Sequence, residues 1–487
     1  MSDLAFASAT RLVAALARKE LSSTELLDYY LERVARLNLT INAVVVLDEE
    51  RAREAARAAD EAIAAGRSLG PLHGLPMTVK ECFDAAGMRT TCGAPAFADN
   101  VSSHDADAVA RLRAAGAVVF GKTNLPIWCR EGQAFNEVYG TTSNPWDLSR
   151  GPGGSSGGSA AALAAGLTGL ELGSDIAGSI RNPAHTCGVY GLKPSRGVVS
   201  QRGILKTRPG ALAPRDLVLP GPLARSADDL ELALDVLAGP IEEDRTAWRL
   251  ELPPPRSREL ADFRVAAWLD DPWAPVDATV LELLQDAVSA LERAGARVER
   301  RPGPVALETS DRLYRHLLMG ALSTGLADEA VAGIDAGLAQ LPPAAGDLGA
   351  RHRRGLVQRH RDWLGADEER WQMRRQWAGF FQDYDVLVCP VWTLPAIPHD
   401  QSPDLDARVI EVNGVTRPYW DLVTWAGIAN LLGLPAASVP IGRTRGDGLP
   451  VGLQIIGPYL EDRTVIEFAR HVAQHVPGFE APPGFRA

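Results

Sequence analysis

The sequence predicts an α/β fold, and three observations predict it. Apolar runs of strand length alternate with helical periodicities at both ends of the chain, so the C-terminal third is expected to complete the same sheet as the N-terminal part. The stretch DADAVARLRAAGAVVFGKTN, residues 105–124, reads as helix, turn, buried strand and exit loop, the repeating unit of such folds. Composition agrees: 46% hydrophobic and 23% charged residues over 487 positions describe an ordinary globular chain with ample material for a core. On length alone the chain admits several domains of about 150 residues or one large unit.

Each element has a local reason. Residues 8–20 carry an amphipathic helical pattern. Ser22 followed by Glu25 is a capping box, in which each side chain satisfies a free backbone N–H. It opens a second helix with Leu26, Leu27, Tyr30, Leu31 and Val34 at helical period. Residues 42–47 (NAVVVL) read as strand, and residues 49–65 as a charged, alanine-rich helix stopped by Gly66. Pro71, Gly74 and Pro76 mark a turn before a buried strand, residues 77–79, that ends at Lys80. Residues 117–120 form the next strand, and residues 121–124 leave its end, where sites gather in α/β folds. The irregular loop LPIWCREGQAFNEVYGTTSNPWDLSR then leads into a glycine-serine stretch, residues 150–192.

Beyond it, residues 193–222, rich in Pro, Gly and Arg, suit long surface loops. A helix is expected over 226–237, a strand over 263–268 (FRVAAW) and an amphipathic helix over 278–294. Residues 310–380 are helical, and the charged run RHRRGLVQRHRDW within them is expected as a solvated face. DYDVLVCPVW reads as a buried strand, TWAGIANLLGLPAASVPIG and LPVGLQIIGP add a helix and strands, and EDRTVIEFARHVAQHV is a closing helix.

A formal charge of −11 gives no general attraction to nucleic acid or an anionic membrane. No apolar run approaches the roughly 20 residues of a membrane span, and the first residues lack the order of a signal peptide, so a cytoplasmic location is expected. Cys82, Cys92, Cys129, Cys187 and Cys389 are too scattered for a disulfide framework, and no CxxC or HExxH spacing occurs; they are expected as buried thiols. Only Lys19, Lys80, Lys122, Lys193 and Lys206 interrupt the use of arginine as cation. Lysine, unlike arginine, can lose its proton when buried. For Lys80 the plain reading is a side chain that snorkels to solvent. The functional one is a desolvated amine, whose reference pKa near 10.4 must fall about three units to serve as a base at neutral pH.

The stretch 150–192 holds a glycine-serine loop (151–159), a small-residue helical run (160–167) and a second glycine-serine turn (173–179). Ser155 lies in the first and Ser179 in the second. Glycines let backbone N–H groups converge on a reacting oxygen, which acyl transfer needs; ordinary strand-helix turns are the plainer alternative. The loop does not match a phosphate cradle: GPGGSSGGSA lacks the lysine, and G-x-G-x-x-G fails at Ser156. Gly153, Ser155 and Gly157 do match the G-x-S-x-G elbow of α/β-hydrolases, with Ser155 as nucleophile. Against that, polar NPWDLSRGP stands where a hydrophobic strand belongs, and His185, His316 and His399 offer no clear partner. That reading stays as the alternative.

GLPMTVKE around Lys80, GGSSGGSAAALAAG around Ser155, GSDIAGSIRNPA around Ser179 and CGVYGLKPSRGVVS together resemble the amidase signature family. The resemblance covers about residues 70–200 and resumes at CPVWTLPA and GLPAASVPIG…LPVGLQIIGP. It implies one large α/β/α domain over residues 1–487 with a mixed, twisted sheet. The core would lie at about 70–200 and 383–475, with a variable, mainly helical and loop region at about 201–382. It implies no metal and no organic cofactor. It also implies a Ser-cisSer-Lys triad, with Ser179 as nucleophile, Ser155 as bridging serine after a cis peptide, and Lys80 as neutral base. The N–H groups of Ile176, Ala177, Gly178 and Ser179 would form the oxyanion hole. Ser156 would hydrogen-bond to the lysine, Asp175 and Arg181 would brace the turn, and the Cys129 backbone would contact substrate. Ala177 departs from the family pattern of two glycines before the nucleophile. Alanine there is strained if the position needs positive φ, and otherwise only narrows the pocket.

The implied activity is hydrolysis of a carboxylic amide to acid and amine through an acyl-Ser179 intermediate, with esters and carbamates open. Selectivity is expected from residues 201–215, 310–375 and the aromatic stretch 419–425, which either lines an aryl or hydrophobic pocket or packs in the core. The partner is a small-molecule amide, not nucleic acid or membrane, and a homodimer is left open. Within the family, the alternative is an amidotransferase subunit that uses glutamine. The loop LPIWCREGQ departs from the form associated with that role and favours a stand-alone amidase. A non-catalytic binding protein on the same fold is the remaining reading.

Overall fold

The computed structural model describes residues 4–204, 209–341 and 347–486. Its spine is an 11-stranded mixed sheet. Across it the strands run Val44–Leu47, Val118–Thr123, Pro76–Lys80, Glu171–Asp175, Leu219–Ala224, Tyr190–Lys193, Ala436–Arg443, Pro450–Ile456, Val386–Pro390, Arg264–Ala267 and Arg297–Arg300. Pro76–Lys80, Val118–Thr123, Glu171–Asp175, Val386–Pro390 and Pro450–Ile456 are buried along their whole length, as strands covered by helices on both faces must be. No helix among the described residues is long and apolar enough to cross a membrane.

The local signals hold where they are strong. Ser22 and Glu25 form the capping box, with bonds of 3.1 and 2.8 Å, and open the Ser23–Ile41 helix. The small-residue helix is Gly157–Ala164, buried throughout. Its glycines permit close packing: a Cβ on Gly158 would lie 2.4 Å from the Asn124 nitrogen. Gly173 and Ser174, expected in a turn, belong to the Glu171–Asp175 strand, so the turn proper begins at Ile176.

Residues 193–222, expected as surface loops, end instead in a buried strand. Leu219–Ala224 pairs antiparallel with Glu171–Asp175, placing Pro220 opposite Ser174 and Pro222 opposite Leu172. Tyr190–Lys193 pairs only with its last two residues, so the prolines, which lack an N–H, need a ladder partner on one side alone. The region expected as mainly helix and loop thus contributes three strands, with Arg264–Ala267 and Arg297–Arg300 at the far edge. Of the selectivity stretches, residues 205–208, with Lys206, and 342–346 lie outside the described residues.

The sheet positions the site through one register. Pro76–Lys80 and Glu171–Asp175 run parallel, with Thr78 opposite Glu171 and Val79 opposite Leu172. Both strands therefore deliver their C-terminal residues, Lys80 and Asp175, to one edge of the sheet, where α/β folds place their sites. The Leu307–Leu322 helix reaches the same edge, where the Tyr314 hydroxyl donates to the Ile176 carbonyl at 2.9 Å.

Candidate active site

Lys80 does not snorkel. It is fully buried, and its Nζ lies 2.7 Å from Ser155 Oγ and 3.1 Å from Ser174 Oγ. The Gly154–Ser155 peptide is cis. Gly154 is forced by space, since a Cβ there would meet the Gln133 nitrogen at 2.6 Å and the Glu131 carbonyl oxygen at 2.7 Å. Ser156, expected on the lysine, turns elsewhere: its hydroxyl bonds the Ser174 carbonyl at 3.3 Å and accepts from the Ser174 N–H at 3.4 Å. The second hydroxyl beside Lys80 is that of Ser174. Sequence reasoning misses it, because GSDIAGS reads as a turn whereas Ser174 sits on a strand next to Lys80.

The turn from Ile176 to Arg181 is held by its carbonyls. Those of Ile176, Ala177, Gly178 and Ser179 accept, respectively, from the Tyr314 hydroxyl (2.9 Å), Asn182 Nδ2 (3.0 Å), the Asn182 N–H (2.6 Å) and the Ser156 N–H (3.1 Å). Among the described residues, the N–H groups of Ile176, Ala177 and Ser179 have no acceptor. The Gly178 N–H, expected beside them, is already given to Asp175 at 2.8 Å. Gly178 has φ +86°, and a Cβ would lie 2.2 Å from Asn182 Oδ1, so glycine is required there. Ala177 is not among the residues with positive φ; its methyl lines the cleft without backbone strain.

Asp175 and Arg181 are completely buried and paired at 2.9 Å. All five N–H donors of Arg181 have acceptors: two on Asp175, and one each on the Ala426 carbonyl, Gln454 and Asn430. Burial pushes the Asp175 carboxyl up, but the Arg181 charge and hydrogen bonds outweigh it and hold the group well below the usual carboxylate range.

Ser179, only 5% exposed, opens on a narrow cleft of about 40 Å³. One wall carries Gly154, Ala177 and Cys129; the facing wall carries Leu318, Leu322, Trp392, Tyr419, Trp420 and Leu422. The aromatic stretch 419–425 divides: Tyr419 and Trp420 face the cleft, whereas Trp425 is core, packed edge-on against Trp268 and donating to the Ala274 carbonyl. Trp128 and Cys129 both adopt left-handed φ, 55° and 56°, costing on the order of 1–3 kcal/mol each. The Cys129 N–H is already given to Pro126, which leaves its carbonyl for a ligand. Its thiol lies 3.8 Å from that of Cys92. Hydrogen bonds from the Cys82 and Cys92 thiols, outweighing burial, hold Cys129 below the usual thiol range.

Two further residues were not singled out in the sequence, although Arg215 ends the 201–215 stretch expected to set selectivity. Arg130 lines the cleft, and Arg215 lines the adjoining recess that also contains Ser155 and Ser174. Burial lowers the affinity of both for protons, helped at Arg130 by the Arg215 charge, and Arg130 Nε and Arg215 Nε and Nη2 are buried without a partner among the described residues. No histidine hydrogen-bonds Ser155 among the described residues. His185 is pinned between Gly452 and Leu394, its pKa lowered by burial to about 4. His399 lies near Ser143, and His316 lines a separate cavity. Lys122 and Lys193 are also buried, the latter lowered by burial to about 7, but bond Thr90 and the Pro194 carbonyl.

The family model described as Amidase matches residues 25–466 of this chain. The chain is 33% identical to a glutamyl-tRNA(Gln) amidotransferase subunit of Acidothermus cellulolyticus, covering 95% of this chain and 93% of that protein. It is 35% identical to the acylamidase of Rhodococcus erythropolis, covering 96% and 95%. Among solved structures, it superposes on a bacterial aryl acylamidase of the amidase signature family with a TM-score of 0.80, at 25% identity over 97% and 96% of the two chains.

Proposed function

The chain belongs to the amidase family and is an amide-hydrolysing enzyme, and from that premise we propose that it is a free-standing amidase acting on amides with an apolar or aryl portion. The observation that carries the catalytic part is the 2.7 Å hydrogen bond between the buried Lys80 amine and Ser155, next to the Ser179 turn. In its unprotonated form Lys80 draws the Ser155 proton while Ser155 takes that of Ser179, so Ser179 Oγ attacks the scissile carbonyl. The oxyanion that forms is met by the N–H groups of Ile176, Ala177 and Ser179, each essential donor worth roughly 3–4 kcal/mol. Because the carbonyls of that turn are already held, the donors are in place before the reaction and need not reorganise. The proton returns through Ser155 to the departing amine, and water then cleaves the acyl-Ser179 ester by the same relay. Cys129 would meet the substrate through its carbonyl.

What supports the substrate class is the cleft wall of Leu318, Leu322, Trp392, Tyr419 and Trp420. Ester and carbamate cleavage would use the same donors. The amidotransferase reading has comparable sequence similarity behind it, but the apolar wall is poorly suited to glutamine. The test is labelling with a sulfonyl fluoride followed by peptide mapping, together with assays on an aryl anilide and on glutamine. A single Ser179 adduct with anilide turnover supports the proposal. An adduct on Ser155 revives the elbow reading, and turnover of glutamine alone transfers the protein to the amidotransferase role.

A further inference from the structure

Behind the cleft wall lies a second cavity of about 400 Å³, walled by the Leu307–Leu322 helix, the Leu348–Leu356 helix and the segment around Pro418. Among the described residues its lining includes Arg312, Arg315, Arg351, Arg354 and Arg417, against two carboxylates, Asp311 and Asp421. The charged run expected as a solvated face thus turns part of itself inward, with His352 only 3% exposed.

The carboxylates are already engaged. Asp311 takes Arg315 Nε at 2.8 Å and Trp273 Nε1 at 3.0 Å, and Asp421 takes Arg417 Nε at 2.7 Å. Arg312 is paired with Glu308 and stacked on Trp273. What remains is a set of unmet donors. Arg315, with its side chain 8% exposed, gives Nη2 to Thr424 at 3.0 Å, but its Nη1 is buried with no partner among the described residues. The Arg351 guanidinium makes no hydrogen bond or ion pair among the described residues; burial, then the charges of Arg312 and Arg315, press on its proton. His352, which holds Asp406 through Nδ1 at 2.8 Å, closes one side of the cavity. Buried polar nitrogens are almost always satisfied, and a guanidinium left unmet in a basic cavity is a receptor for what is missing. Planar guanidinium forks match carboxylate and phosphate oxygens.

We propose that this cavity is an anion-binding site for a small molecule bearing a phosphate or carboxylate group, held by Arg315 Nη1 and Arg351. The site adjoins the catalytic cleft without being part of it. His352 packs edge-on against Trp420, at 4.8 Å between ring centres, and Trp420 lines the cleft. Arg315 follows Tyr314, whose hydroxyl holds the Ile176 carbonyl. Two sources can supply the anion: a free small acid, or an acidic group on the amide substrate itself. The inference does not depend on the assignment of the catalytic serines.

The test is calorimetric titration of the full chain with inorganic phosphate and with succinate, against chloride at equal ionic strength. Saturable binding of one anion is expected in the native protein and in Ser179→Ala, so failure of the catalytic assignment leaves the result readable. Arg351→Gln, at a half-buried side chain without a hydrogen-bonded partner among the described residues, is expected to fold normally and weaken binding about tenfold. Arg315→Lys keeps the charge but loses the fork and is expected to weaken binding as well. Binding retained after sulfonylation of Ser179 identifies a free anion; binding lost on sulfonylation but kept in Ser179→Ala identifies an acidic group entering from the cleft. Absence of saturable binding beyond chloride, or binding indifferent to both arginine substitutions, overturns the site.

Discussion

Two buried arginines on opposite walls of the cleft show how differently the same side chain can be used. Arg181, behind the Ser179 turn, has an acceptor for each of its five N–H groups, and its charge is neutralised by Asp175. Arg315, behind the aromatic wall, is nearly as buried yet leaves Nη1 unmet in a cavity rich in its own charge. The first arrangement is closed and rigid, and it fixes donors for a reacting oxygen. The second is open to a ligand. Preorganisation and receptivity are separated by one cleft.

The largest effect is expected from breaking the reacting set. Ser179→Ala or Lys80→Ala is expected to lower kcat/KM for an aryl anilide on the order of 10³-fold or more, with circular dichroism unchanged. An intact rate in either variant would remove the relay.

Arg181→Met sharpens the comparison directly. It strands the Asp175 charge in the interior, and about 3–5 kcal/mol of stability is expected to disappear in urea unfolding. Arg315→Met takes one partner from Asp311 but leaves it the Trp273 donor, and removes a group with one donor already unmet, so it is expected to cost less; equal losses would show that the two arginines are equally closed. Asp175 has a depressed pKa in the fold. Its contribution is therefore complete above the unfolded carboxylate value of about 3.9 and is lost as pH falls through the folded value, measurable as unfolding midpoints down an acid series.

Glu171 has the opposite sign. It is fully buried on the strand beside Lys80, bonded to Thr78 and Thr123, and burial raises its pKa to about 8. Between the unfolded value of about 4.3 and 8, the unfolded chain has released this proton and the folded one has not, so stability falls as pH rises and levels above 8. Glu171→Gln is expected to remove that slope and to raise stability at neutral pH by up to a few kcal/mol, read from urea midpoints at pH 5 and 7.5.

The smallest effect is expected from Tyr314→Phe, which deletes the hydrogen bond from the second wall to the Ile176 carbonyl. A loss of about 1 kcal/mol, roughly fivefold, is expected in kcat with KM little changed. A change in KM alone would mean that Tyr314 shapes the pocket and not the turn.

Much of the first wall was legible in the sequence. The glycine-serine loops announced close backbone packing, the Ser22–Glu25 box announced a helix start, and Lys80 stood out at the end of a strand in an arginine-rich chain. These signals are local, because glycine conformation, capping and strand periodicity act within a few residues. The placement of Ser174 beside Lys80, the Leu219–Ala224 strand with its two prolines, the commitment of the Gly178 N–H to Asp175, and the second wall with Tyr314, Arg315 and Trp420 were decided by tertiary structure alone. Each depends on pairing in space or on competition among several acceptors. Tyr314 meets Ile176 across 138 residues of chain, and Arg181 meets Gln454 across 273. Periodicity reveals which face of an element is apolar; only the packed sheet decides which distant element that face meets, and so which buried polar groups find partners.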